Sequence, residues 1–160
     1  MDRKPRVYLE TSFVSACVTT KTDPASRDQR WHSLRWWHSR AEPGSLFVSN
    51  VVRVELARQE YRSRWEALRW IEGLGHVDGT SEVERLAAEL VRDRLMPGGD
   101  SMDAFHAALA IWHGMDALLT WDQKHLANPR KTWRMELVAR RWSSQLPRFV
   151  TPKSWSSPCP

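Results

Sequence analysis

The stretch Asp103-Ala-Phe-His-Ala-Ala-Leu-Ala-Ile-Trp-His-Gly-Met-Asp-Ala-Leu-Leu-Thr-Trp-Asp122 decides how this chain is read. Its first half is an apolar helix opened by one carboxylate. A glycine turn follows at Gly114, and then a short buried strand that ends at a second carboxylate. Acids at the ends of buried elements are poorly explained as surface charge. Carboxylates gathered at one edge of an α/β core are what a hard divalent cation such as Mg2+ needs. A metal-dependent enzyme acting on phosphodiesters is therefore the leading idea, and it requires more acids of the same kind.

Two more lie upstream. Arg6-Val-Tyr-Leu-Glu10-Thr-Ser-Phe-Val-Ser reads as a short strand, then Glu10, with Thr11 and Ser12 as candidate caps of a following helix. Ser45-Leu-Phe-Val-Ser-Asn50 reads as a second strand, with Ser49 or Asn50 capping the helix Val51-Val-Arg-Val-Glu55-Leu-Ala. Glu55 falls about one turn into that helix. Any one of these acids is also explained as a helix cap or a solvated charge, because acids favour helix N-termini for ordinary reasons. Four of them, each where a strand ends or a helix begins, suit a parallel sheet whose site lies outside the carboxyl ends of the strands.

The remaining organisation is regular. Asp23-Pro24 starts a helix that should run to about Ala41, and Glu42-Pro-Gly-Ser breaks it. The helical stretch from Val51 to about Gly73 should bend near Tyr61, and Gly75-His-Val-Asp-Gly79 offers a third strand. Ser81-Glu-Val-Glu84 has the form of a capping box for a helix reaching about Leu95. Ser101 is the expected cap of the Asp103 helix, a last helix should span about Arg130 to Gln145, and Arg148-Phe-Val150 could add an edge strand. Alternating strands and helices imply a two-layer or three-layer α/β fold with a mainly parallel sheet of four or five short strands.

A chain of 160 residues falls in the one-domain range; residues 1–155 are expected to form that domain and 156–160 to fray. Met-Asp-Arg-Lys-Pro-Arg leads straight into a strand, which argues against a leader or a membrane span and for a cytoplasmic protein. Cys17 and Cys159 offer neither a disulfide framework nor a zinc set. His106 and His113 lie on the same helix seven residues apart, a spacing more typical of packing or surface than of metal ligands.

A net charge of +5 favours a polyanionic partner. Lys124, Arg130, Lys131, Arg134, Arg140, Arg141 and Arg148 crowd the C-terminal third, and ten Trp are interleaved with the basic residues. Aromatic faces can stack on unpaired bases. Trp65 and Trp70, with Leu68, Ile71 and Leu74, recur at helical spacing and read better as core or a dimer face. Trp31, Trp36 and Trp37 read as half-buried in an Arg-rich helix.

Val-Tyr-Leu-Glu-Thr-Ser, the Glu55 helix, Asp-Ala-Phe-His-Ala-Ala-Leu-Ala and Leu-Leu-Thr-Trp-Asp-Gln-Lys-His-Leu-Ala-Asn together resemble PIN-domain ribonucleases, in particular the VapC-like toxins of prokaryotic toxin–antitoxin pairs. The resemblance runs from about Val7 to about Trp155. It implies a PIN-like fold in which the family acids fall on Glu10, Glu55, Asp103 and Asp122, with Thr120 as the family's small polar residue before the last acid. Glu10 departs from the usual Asp by one methylene. Asp122 stands where relatives with a Trp-x-x-Lys-His-x-x-Asn tail often carry Asn.

The resemblance further implies a ribonuclease dependent on Mg2+ or Mn2+, a homodimer, and a partner antitoxin whose tail covers the groove. Glu10, Asp103 and Asp122 are expected to bind metal, with Glu55 binding it too or orienting a water. Lys124, His125 and Arg130 are candidates for contact with RNA. Two alternatives stand beside this reading: a PIN domain that has lost cleavage and binds RNA or protein, and an RNA-processing nuclease outside any toxin pair.

Overall fold

The computed structural model describes residues 3–42, 44–58 and 63–155. The expected bend at Tyr61, Cys159 and the frayed 156–160 tail lie outside them. Five strands, β1 (Val7–Leu9), β2 (Leu46–Ser49), β3 (Gly75–Val77), β4 (Ala117–Leu119) and β5 (Arg148–Val150), form one sheet in the order β3-β2-β1-β4-β5. Every pairing is parallel. Among the described residues, seven α-helices flank it: α1 (Thr11–Val18), α2 (Pro24–Arg40), α3 (Asn50–Arg58), α4 (Arg64–Trp70), α5 (Ser81–Arg92), α6 (Asp103–Trp112) and α7 (Thr132–Arg141).

The two central strands are apolar throughout because helices cover both faces of a parallel sheet. Val7, Tyr8 and Leu9 of β1 and Ala117, Leu118 and Leu119 of β4 are all buried. Helix α6 is buried nearly all round, from Ala104 to Ile111, and packs on α5. Register then brings the strand ends together. Leu9 pairs with Leu119, so Glu10 and Thr120 emerge side by side, tied by the Glu10 N–H donating to the Leu119 carbonyl at 3.1 Å. Strand β2 ends at the same edge, where Ser49 leads directly into α3.

Several local expectations are corrected. Neither Thr11 nor Ser12 caps α1; Glu10 does, its carboxylate accepting from the Ser12 N–H. The cap of α5 is Thr80, whose extended backbone lets its hydroxyl accept from Val83 N–H, so the cap falls one residue before Ser81 and, with Val83 at the third position, the expected capping box does not form. Met102 occupies the cap position of α6 without a side-chain bond, while Ser101 Oγ accepts from Asp103 N–H at 3.3 Å. Helix α5 stops at Arg92 rather than near Leu95, because Arg94 takes a positive φ of 56°. The last helical region divides into a 3-10 turn, Pro129–Lys131, and α7, which ends at Arg141 rather than Gln145.

Three tryptophan expectations also change. Trp65 is 65% exposed, which removes the core half of its core-or-dimer-face reading, whereas Trp70 packs against the core. Trp36 is fully buried against Phe13 and Trp155 rather than half-buried, and Trp31 is exposed. No helix among the described residues is long and apolar enough to cross a membrane.

Gly75 is needed where β3 passes Phe47. A Cβ there would stand 2.6 Å from the Phe47 ring and 3.0 Å from the Leu46 carbonyl oxygen. Overpacking of this kind costs about 1–3 kcal/mol, so Gly75→Ala should lower the urea midpoint accordingly; an unchanged midpoint would show that the ring yields freely.

Candidate active site

Parallel strand order puts the C-terminal ends of β1, β2 and β4 at one edge, and the acids gather there. Glu10 is buried, with one carboxylate oxygen saturated by neighbours. Its Oε2 accepts from Ser12 N–H at 3.1 Å, from Ser12 Oγ, and from Thr120 Oγ1 at 2.7 Å. The second oxygen, Oε1, faces His106 Nε2 at 3.9 Å. Three donors on one oxygen hold the other oxygen in a defined direction.

Glu55, one turn into α3, is aimed from two sides. Its Oε2 accepts from Thr11 Oγ1 and from His106 Nε2, the latter at 2.8 Å. Burial alone would raise its pKa, but the His106 hydrogen bond and charge, the Thr11 bond and Arg58 outweigh that and hold it below the ordinary value. His106 responds in the opposite sense. Burial would lower its pKa, yet its bond to Glu55 and the charges of Glu10, Glu55 and Asp103 leave it raised.

Behind His106 stands a second buried chain. Its Nδ1 lies 2.8 Å from Tyr8 Oη, which lies 2.8 Å from Ser49 Oγ. An ionised carboxylate only accepts, so Nε2 carries the proton donated to Glu55. When the ring is neutral, Nδ1 accepts from the Tyr8 hydroxyl and Tyr8 in turn accepts from Ser49. The last residue of β2, the middle of β1 and the first turns of α6 are thus joined by hydrogen bonds beneath the acids.

Ligand atoms of Glu10, Glu55 and His106 all lie within 4.8 Å of one another. The two carboxylates at that spacing suit a small divalent cation, while His106, with its Nε2 proton on Glu55 and Nδ1 on Tyr8, braces them and offers no lone pair. Asp103 and Asp122 stand outside this trio. Asp103 opens α6, and its pKa is raised by burial and by the charge of Asp122, against the lowering effects of Ser101, His125 and His106. Asp122 Oδ1 accepts from the backbone N–H groups of Lys124 and His125, each at 3.0 Å. Thr120 joins the two halves, donating to Glu10 and accepting from Asp122 N–H at 2.9 Å.

Of the residues expected at one edge, the structure brings Glu10 and Glu55 together around His106, ties Thr120 to Glu10, and sets Asp103 and Asp122 near each other outside that trio. Lys124 and Arg130 are exposed beyond Asp122, and His125 is half-buried beside it. His106 was read as packing or surface and is instead wedged between two carboxylates. A signal existed, since Asp103 and His106 are three residues apart and share a helix face. His113 does behave as read: it ends α6 and lies 2.7 Å from the Asp78 carbonyl. Tyr8 carried no signal, and Ser12 and Ser49 were expected only as helix caps, because the bonds of Tyr8 to Ser49 and His106 and of Ser12 to Trp121 join residues about 40 to 110 positions apart.

The family model described as PIN domain matches residues 7–131. The chain belongs to the PIN domain family. The match covers most of the chain and contains all four acids, while α7 and β5 lie beyond it. No curated protein matches the chain in sequence. Solved PIN-like structures share its fold at low identity. VapC20 of Mycobacterium tuberculosis, a sarcin-ricin loop cleaving toxin, superposes with a TM-score of 0.58 at 22% identity, over 77% of this chain and 95% of VapC20. A toxin–antitoxin complex from Klebsiella pneumoniae has a TM-score of 0.58 at 14% identity, over 91% of this chain and 97% of the other. FitAcB from Neisseria gonorrhoeae has a TM-score of 0.55 at 13% identity, over 93% and 99%.

The hydrogen-bonded chain under the PIN site predicts a stability effect. Tyr8→Phe leaves Ser49 Oγ and His106 Nδ1 without their shared partner, and an unmet buried polar group costs about 1–3 kcal/mol. Urea unfolding should register that loss; wild-type stability would mean that the chain does not tie the strands together.

Proposed function

We propose that this PIN domain is a ribonuclease that hydrolyses RNA phosphodiester bonds with Mg2+ or Mn2+, and that it acts as the toxin of a toxin–antitoxin pair. The observation that carries the reading is the convergence of Glu10, Glu55 and His106 within 4.8 Å, beside an Asp103 whose pKa is raised. Buried like charge of this kind is relieved by a cation. The toxin assignment is supported by the VapC20 and Klebsiella pneumoniae structures, and the basic balance of +5 suits a polyanionic substrate.

Glu10, Glu55, Asp103 and Asp122 would hold the ion. When bound, the cation supplies an acidified water for attack on phosphorus and offsets charge on the phosphoryl oxygens. The chain's own residues do the positioning. Ser12 and Thr120 fix Glu10 so that Oε1 faces the centre, and the extra methylene of Glu10 is accommodated by that clamp. His106 keeps its Nε2 proton on Glu55 and so acts as a positioning residue. The Lys124 and His125 amides hold Asp122. The Lys124, His125 and Arg130 side chains are placed to meet substrate phosphates. An antitoxin would act by covering this edge, and a homodimer follows from the same family resemblance.

Purified protein should cut a mixed labelled RNA pool with Mn2+ or Mg2+ and not with EDTA. Asp103→Asn and Asp122→Asn should each reduce cutting by at least about a hundredfold, the scale of losing one aimed electrostatic contact. Wild-type rates in either variant would sink the site assignment. Metal binding without any cutting would favour the alternative of a binding module, and an RNA-processing nuclease is separated from a toxin by whether expression arrests growth.

Because ionised Asp103 is disfavoured by burial and by Asp122, Asp103→Asn should raise the melting temperature of metal-free protein at pH 7 while shrinking the rise produced by Mn2+. A lowered melting temperature without metal would show that the Asp103 charge is already compensated within the protein.

A further inference from the structure

We propose that the concave face between α2 and the segment Pro152–Trp155 is the track along which single-stranded RNA leaves the acid edge. This rests on the ribonuclease reading above. The track begins at Trp121, between Thr120 and Asp122. Its backbone N–H donates to Ser12 Oγ at 2.8 Å, the same hydroxyl that bonds Glu10. Its half-buried indole is pinned by Nε1 donating to the fully buried Ser33 Oγ on α2 at 2.8 Å. The ring next to the acids is therefore fixed in orientation from both ends.

From Trp121 the surface continues through aromatic and cationic groups. The His32 ring lies 6.5 Å from Trp121, and the Trp31 ring lies 4.7 Å from His32. Trp31 is 55% exposed, with the Arg35 guanidinium 5.1 Å from its centroid. On the other side of His32 opens a concavity of about 370 Å³, walled by Arg35, Arg40, Lys153 and Trp155 among others. No carboxylate lines it among the described residues. The nearby acid is Asp28, 3.6 Å from His32 and 3.5 Å from Lys153.

An exposed tryptophan beside an arginine is often only a surface pair. Two features point to a ligand here. Helix α2 buries Ser33 and Trp36 and rests Leu34 and Trp37 on the core, and it leaves Arg35 and Arg40 exposed on the side of the concavity. His32, which lines the concavity, also lies 6.5 Å from the pinned Trp121 ring that sits between Thr120 and Asp122. Cations that follow a backbone, alternating with rings that accept bases, are the recognition chemistry of unpaired strands. A duplex would hide its base faces from Trp31.

The test measures anisotropy of a fluorescein-labelled single-stranded RNA of about ten nucleotides, spanning more than one stacking platform, across a salt series. Asp103→Asn serves as the uncut background. Arg35→Gln/Lys153→Gln should weaken binding at least about tenfold and flatten the salt slope by about 1.4, the value for two lost phosphate contacts on a single strand. Trp31→Ala should weaken binding roughly fivefold or more, and Arg69→Gln on α4 should match the background. In the otherwise wild-type chain, the double variant should raise KM on long RNA and leave kcat unchanged.

Affinity and slope equal to those of Arg69→Gln, with wild type still cutting RNA, would overturn the track and leave the nuclease standing. Failure of wild type to bind or cut any RNA would remove both. Loss of a co-expressed protein partner with unchanged RNA affinity would overturn the track too, reassigning the face to protein binding.

Discussion

Everything at the active edge depends on holding like charge in a partly buried place. Carboxylates there repel one another and lose hydration, so each needs donors that do not themselves move. Glu10 is held by Ser12 and Thr120, Glu55 by Thr11 and His106, and Asp122 by two backbone amides. Burial and the charge of Asp122 raise the pKa of Asp103, a cost its neighbours leave unrelieved. That residual cost is what a cation would remove.

The sheet makes this clamp possible. A parallel order with β1 in the centre sends the ends of β1, β2 and β4 to the same side, so donors from one strand reach acids from another. Thr120 at the end of β4 reaches Glu10 at the end of β1, and Ser49 at the end of β2 reaches Tyr8 inside β1. The site is therefore braced by the same register that buries Val7, Leu9, Leu118 and Leu119. Stability and chemistry share one set of contacts, and a slip of one residue in β4 would separate Thr120 from Glu10.

His106 shows how a core residue and a functional residue can be the same side chain. It is 1% exposed, which suits packing, yet both ring nitrogens are committed to polar partners. Its role is to transmit the rigidity of β1 and β2 to Glu55. Helix α2 is the opposite case, anchored by Ser33, Trp36, Leu34 and Trp37 while its arginines stay exposed. Such a division, with α6 serving the core and α2 the surface, fits a domain whose substrate runs over its exterior.

The α/β class, the strand positions and the mainly parallel sheet were legible in the chain itself, and the four acids could be singled out there as candidates. They depend on local period, on turn residues and on short apolar runs bounded by acids, all of which are nearest-neighbour properties. Caps were legible only to within a residue: Asp23 was read correctly, whereas Thr80 was read as Ser81, because hydroxyls in adjacent positions compete and backbone φ/ψ decides between them. Tertiary structure alone decided that His106 faces Glu55, that Ser12 accepts from Trp121 and that Trp121 is pinned to Ser33. Those pairings join residues 51, 109 and 88 positions apart through strand register and helix rotation. A spacing along the chain encodes which face a side chain occupies, but not which distant face will be brought against it.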